Sequence, residues 1–129
     1  ITDFIMMVEG NSYMFVTGPN VVKTVTHEDV TFEELGGAST HATKSGVSHF
    51  TASNGVDCIQ KIKKLLSYIP QNCEETAPVY PYNPGDESRP ALATIMPDNP
   101  NQPYDIRDVI EQVADTDSFF EVHQDYAGN

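Results

Sequence analysis

The chain has 129 residues, 39% of them hydrophobic and 20% charged, and a formal net charge of −12. That length suits one domain or pieces of two, able to bury roughly two thirds of the unfolded surface. Seven Lys and Arg scattered against 19 acids argue against nucleic acid or an anionic membrane as partner, and no apolar run nears the ~20 residues of a membrane span.

The chain opens on "ITDFIMMV", an apolar strand-like run with no lead-in and no signal peptide, and stops at "DYAGN" just after another such run. This pattern reads as a segment of a longer chain. Residues 3–8 are a predicted buried strand, and residues 13–16 ("YMFV") a second, with Gly10-Asn11 as the turn between them. Gly18-Pro19 then breaks the strand. Pro19 suits the first turn of a helix running to Val25, because its missing N–H is not needed there.

"TFEE", residues 31–34, is a capping box: the Thr31 hydroxyl can take the Glu34 amide, and the Glu34 carboxylate can reach back to the Thr31 amide. Gly36 or Gly37 is expected to supply the left-handed position that stops this short helix. A Gly/Ser/Thr-rich turn with His41 and His49 follows, then a short strand over residues 47–53. The best helix of the first half spans residues 56–68, with Val56, Ile59, Ile62, Leu65, Leu66 and Ile69 on one stripe, and Pro70 ends it.

Eight of the nine prolines lie between Pro70 and Pro103, so residues 70–104 read as a linker. Within it only "ALATIMP" (91–97) could form a short strand or a buried plug. Asp105 caps a second helix carrying Ile106, Val109, Ile110 and Val113 at i, i+3, i+4 and i+7. "FFEV" (119–122) looks like a strand, and residues 123–129 like a turn. Strands alternating with helices give an α/β or α+β class.

Charge is uneven. Residues 1–73 carry seven acids and five bases, residues 74–129 twelve acids and only Arg89 and Arg107, so an anionic small ligand favours the first half. Cys58 and Cys73 are too few for a disulfide framework, and the histidines show no metal-ligand spacing to them or to each other. Ser39, Ser45 and Ser48 lie near histidines, but no G-x-S-x-G elbow surrounds them. "TGPNVVK" lacks the Gly-Lys-Ser/Thr ending of a P-loop, yet it opens a helix beside Lys23 and could border an anion or a carbonyl oxygen. His27 sits at a helix end beside Glu28 and Asp29, as a solvated residue would. His41 and His49 are the stronger catalytic candidates, with His123 below them. Lys61, Lys63 and Lys64 read either as a solvated helix face or as contacts to a nucleotide phosphate.

"MFVTGPNVVKTVTHEDVTFEELGGASTHATKSGVSHF" closely resembles the biotin-dependent acyl-CoA carboxyltransferase family, which includes propionyl-CoA carboxylase β subunits, transcarboxylase large subunits and methylmalonyl-CoA decarboxylase α subunits. The likeness continues through "LLSYIPQN", "IMPDNPNQPYDIRDVIEQVADTDSFFEV" and "YAGN". It implies a crotonase-like ββα superhelix. Residues 1–69 would be the last part of an N-terminal carboxyltransferase domain, 70–104 the interdomain linker, and 105–129 the start of a C-terminal domain.

The implied chemistry moves a carboxyl group between biotin and the α-carbon of an acyl-CoA such as propionyl-CoA or methylmalonyl-CoA, with the enolate held by backbone N–H pairs. The resemblance places those pairs outside this chain, so no residue here is expected to be catalytic and the segment alone is expected to be inactive. Phe15, Thr17, Gly18 and Pro19 are expected to line the acyl-CoA or biotin pocket, with Gly36, Gly37, His41, Ser45, Gly46 and His49 as a second tier. A purely structural role for that second tier is an equal reading, since small residues let two backbones approach closely. The resemblance further implies biotin on a separate carrier protein or domain, a hexamer-like ring, a cytoplasmic location (the mitochondrial matrix in a eukaryote), and no metal, nucleic acid or direct membrane insertion. A non-biotin crotonase hydratase or isomerase, and a non-catalytic assembly module, are the alternatives. The residues leave open which acyl-CoA is used, and whether the whole system is a carboxylase, a transcarboxylase or a decarboxylase.

Overall fold

The computed structural model describes residues 2–81, 83–86 and 89–127. Ile1, three positions of the expected linker and the last two residues of the expected 123–129 turn lie outside the described residues. Two compact units form, one from residues 1–77 with 121–129 and the other from residues 78–120.

In the first unit, β1 (Met6–Val8) and β2 (Phe50–Ala52) pair in parallel, with Met6 opposite Phe50 and Val8 opposite Ala52. A parallel pair needs a long crossover. Residues 9–49 supply it with α1 (Pro19–Thr26), α2 (Phe32–Gly36), α3 (Ala38–Thr40) and a π-helical turn, His41–Ser45. Then α4 (Gly55–Leu66) packs against both strands. The core is small: Met7, Ala38, Ala42, Phe50 and Ala52 are buried, with Ser48 beside them donating its hydroxyl to the Phe50 carbonyl at 2.9 Å.

Local signals are obeyed. Pro19 opens α1, and His27 closes it in the left-handed region at φ 63°, its amide donating to the Lys23 carbonyl. The capping box forms in full: the Glu34 amide donates to Thr31 Oγ1 at 3.2 Å and the Thr31 amide to Glu34 Oε2 at 2.9 Å. The Thr31 hydroxyl, donating to Glu34 Oε2 at 2.7 Å, and then the Thr31 amide hold the Glu34 carboxyl below its ordinary range. Asn54 caps α4 by accepting from the Val56 and Asp57 amides.

Several elements differ from expectation. The strand expected over residues 13–16 is reduced to one antiparallel bridge, Tyr13 to Gly37, because its neighbour is the α2–α3 junction rather than a strand. Gly37 is extended (φ −76°, ψ 171°), not left-handed, so close approach rather than φ explains the two glycines. The strand over 47–53 is confined to Phe50–Ala52, and residues 119–122 form no strand.

The apolar stripe of α4 does not face the sheet. Its half-buried residues are Asp57, Cys58, Lys61 and Leu65. Polar bonds set this rotation. Lys61 Nζ donates to the Thr51 carbonyl at 2.7 Å, and Asp57 accepts from the Ser53 amide at 2.9 Å. Val56 and Ile59 stay 68% and 55% exposed on the other side.

In the second unit, residues 91–97 contain a short helix, α5 (Leu92–Ile95), where a strand or plug was expected. Ala91 already has helical geometry, and the Ile95 amide returns to its carbonyl at 3.1 Å. Pro84–Asp86 forms a 3-10 turn, and α6 (Ile106–Val113) packs on α5. Asp105 caps α6 through the Arg107 amide and grips the Arg107 guanidinium at 2.6 Å, which lowers its own pKa.

Candidate functional site

Residues 13–18 form the centre of one cluster. The Met14 amide donates to the Gly36 carbonyl at 2.8 Å. At this distance only glycine fits: a Cβ on Gly36 would overlap the Met14 carbonyl oxygen and crowd the Phe15 ring. A Cβ on Gly37 would run into the Glu33 carboxylate, which accepts from the Ser39 amide. The Phe15 ring lies 5.8 Å from that of Phe32, and Gly18 sits against its edge. Thr17 is exposed, Val16 is fully exposed, and Pro19 begins α1.

His41 joins this cluster from the π-helical turn. Its Nε2 lies 2.6 Å from the Met14 carbonyl oxygen, and its Nδ1 lies 2.7 Å from Ser45 Oγ. A carbonyl can only accept, so Nε2 carries the proton and, in the neutral ring, Nδ1 accepts from the Ser45 hydroxyl. With both nitrogens engaged, the ring has no lone pair left to take a proton from a substrate. Phe15, Gly18, Gly36, Gly37, His41 and Ser45 are thus brought together around one short backbone segment.

His49 and Gly46 belong elsewhere. His49 exchanges bonds with Ile5: its amide donates to the Ile5 carbonyl at 2.9 Å, and its Nδ1 accepts from the Ile5 amide at 3.1 Å. The His49 ring stacks on His123 at 4.6 Å and 26°, with Phe4 edge-on at 5.6 Å. Burial first, and the facing His123 second, depress the His49 pKa below its usual value. The His123 amide donates to the His49 carbonyl at 3.0 Å, and His123 Nε2 is buried without a hydrogen-bond partner among the described residues. Gly46, left-handed at φ 67°, lies under the Tyr126 ring, where a Cβ would come within 3.2 Å.

In the sequence His123 ranks below His41 and His49, and nothing there points to Met14 as an acceptor. These partners lie 74 and 27 positions apart along the chain, and no local pattern carries such pairings. The lysines divide. Lys61 is held by Thr51 and Asp57, and Lys23 pairs with Asp29 at 2.6 Å, whereas Lys63 and Lys64 are exposed on α4. Among the described residues no three His, Cys, Asp or Glu side chains gather as a metal site, and no helix is long and apolar enough to cross a membrane.

The chain matches the family described as Carboxyl transferase domain over residues 1–129. It is 47% identical over 130 residues to the propionyl-CoA carboxylase beta chain of Roseobacter denitrificans, covering 100% of this chain and 26% of that one. It is also 47% identical over 132 residues to the methylmalonyl-CoA decarboxylase subunit alpha of Veillonella parvula, again covering 26% of the relative. A crystal structure of transcarboxylase 12S, solved with hydrolysed methylmalonyl-coenzyme A bound, superposes with a TM-score of 0.91 at 43% identity over 99% of this chain and 25% of that one. The chain therefore spans about a quarter of the length of the relatives it matches.

Proposed function

The chain belongs to the carboxyl transferase domain family and has its crotonase-like fold, and from that premise we propose that it is a segment of a subunit moving a carboxyl group between biotin and the α-carbon of propionyl-CoA or methylmalonyl-CoA. The observation that carries this reading is near-50% identity, over the whole of this chain, to subunits named for those two thioesters. In the same reading residues 1–69 end one carboxyltransferase domain, 70–104 link, and 105–129 open the second. A biotin carrier protein is the partner, and a ring of subunits, as in the hexameric transcarboxylase core, is the assembly.

The cluster around residues 13–18 fits the acyl-CoA side. Phe15 on Phe32 offers an apolar wall, and Gly18 presents backbone with no side chain at the start of α1. The amides of Met14, Gly37 and His41 already donate to Gly36, Glu33 and Gly37, so they form no oxyanion-binding pair. When bound, biotin supplies a ureido nitrogen to carry the carboxyl group, and no step through it is assigned to this chain. The residues here shape and hold a wall. The reacting centre belongs to the rest of the subunit.

The test is an assay of the full-length subunit with methylmalonyl-CoA and free biotin, following propionyl-CoA. Turnover is expected from the full-length protein and none above the buffer rate from the isolated 129 residues. A folded full-length subunit inert toward both thioesters contradicts the proposal.

A further inference from the structure

We propose that His41 is a positioning residue for the acyl-CoA side of the transfer, acting through the Met14 carbonyl. This rests on the functional reading above.

Residues 13–18 have no strand ladder to hold them. Among the described residues two backbone ties do so: the Tyr13–Gly37 bridge, carried by the Met14 amide on the Gly36 carbonyl, and the Met14 carbonyl on His41 Nε2. The first acts on Tyr13 and the amide side of Met14, and the Phe15 ring packs on Phe32 further along. The His41 bond is the one backbone tie, among the described residues, on the peptide plane that leads into Phe15. The next backbone tie along the chain is the Val21 amide to the Gly18 carbonyl, inside the first turn of α1. The stretch carrying Phe15, Val16 and Thr17 is therefore spanned between His41 at one end and Pro19 at the other.

His41 is itself held. It starts a π-helical turn, a rare conformation that favours functional sites. Buried Ala42 anchors that turn, Gly46 ends it at φ 67°, and the Ser45 hydroxyl orients the ring through Nδ1. The chain thus gives up an ordinary helical turn to place one imidazole N–H 2.6 Å from one carbonyl. Losing that bond lets the peptide after Met14 rotate and moves the Phe15 wall, and small displacements of a positioning group can cost up to about 100-fold in rate.

Two substitutions separate the two nitrogens. His41→Gln places an amide N–H where Nε2 was and keeps the Met14 bond. His41→Asn reaches only as far as Nδ1, so it keeps the Ser45 side and loses Met14. The full-length subunit and both variants are compared for kcat and KM with methylmalonyl-CoA, for thermal midpoint, and for amide exchange of residues 13–18 without ligand. His41→Asn is expected to lower kcat/KM by roughly 10- to 100-fold, with faster exchange over residues 13–18 and a midpoint close to wild type. His41→Gln is expected to stay close to wild type in all three. Equal impairment of both variants, normal activity in both, or a loss that only tracks the thermal midpoint overturns the proposal. If the wild-type subunit transfers no carboxyl group, the functional reading falls and the role in transfer with it. The exchange comparison then still decides whether His41 holds the segment.

Discussion

At the scale of single residues, the same residue type does different work according to what approaches it. Gly36 is required by the Met14 carbonyl pressing on its Cα, whereas Gly46 is required by its positive φ under Tyr126. Gly36→Ala in the full-length subunit is expected to lower stability by about 1–3 kcal/mol, the usual cost of overpacking, read as a lower denaturant midpoint. An unchanged midpoint would mean that the 13–18 segment moves aside freely. Thr31→Ala removes one half of the capping box and is expected to cost about 1 kcal/mol, less than Gly36→Ala. The box was legible in "TFEE" because its partners lie within three residues. The reason for Gly36 was not, because Met14 lies 22 positions away and nothing near Gly36 announces it.

At the scale of elements, helices carried by local signals and the two strands that pair are legible in the sequence, whereas residues 13–16 and 119–122 read as strands and form none. Pro19, the capping box and Asp105 set the starts of α1, α2 and α6 from within their own first turns. Residues 13–16 and 119–122 have the apolar, β-branched or aromatic character of strands, but a strand exists only where another backbone pairs with it. The rotation of α4 was hidden for a related reason: Lys61 and Asp57 choose the backbone of Thr51 in β2 and of Ser53 just after it over solvent.

The C-terminal turn is tied to β2 by the His49–His123 stack and by Thr51 Oγ1 donating to Asp125 at 3.0 Å. The His123 ring of this stack also meets Tyr126 edge-on, at 6.1 Å. The folded state lowers the His49 pKa, so it favours the neutral ring, while the unfolded chain binds a proton near the ordinary 6.5. The stabilisation is therefore complete above that value and is lost as pH falls below it, down to the folded pKa. Amide exchange of residues 121–127 in the full-length subunit, corrected for intrinsic rate, is expected to quicken between about pH 7.5 and about pH 5.5. His123→Phe keeps a stacked ring and removes only the lesser of the two causes, so it is expected to weaken that response without abolishing it. A response abolished in His123→Phe would assign it to His123 rather than to the burial of His49.

At the scale of the whole molecule, apolar surface exceeds what the described chain can cover. Val56, Ile59, Ile62 and Leu66 line one side of α4, Ile106 and Val113 are exposed on α6, and Phe4 lies at the open end of β1. Such surface recruits other chains or the remainder of the same one. The isolated 129 residues are expected to sediment as associated species despite a net charge of −12. The rest of the full-length subunit is expected to cover this stripe, so that Ile59→Asp there costs roughly 2–5 kcal/mol. A monodisperse, cooperatively unfolding monomer of the isolated segment would show that it is self-sufficient.

We propose that residues 13–18, backed by Gly36 and His41, border the acyl-CoA. Amide exchange of the full-length subunit with and without saturating methylmalonyl-CoA tests it most directly. Slower exchange is expected in peptides covering residues 13–18 when the thioester is bound, with peptides covering the His49–His123 stack unchanged. Full transfer activity with no protection of residues 13–18 at saturation would contradict it.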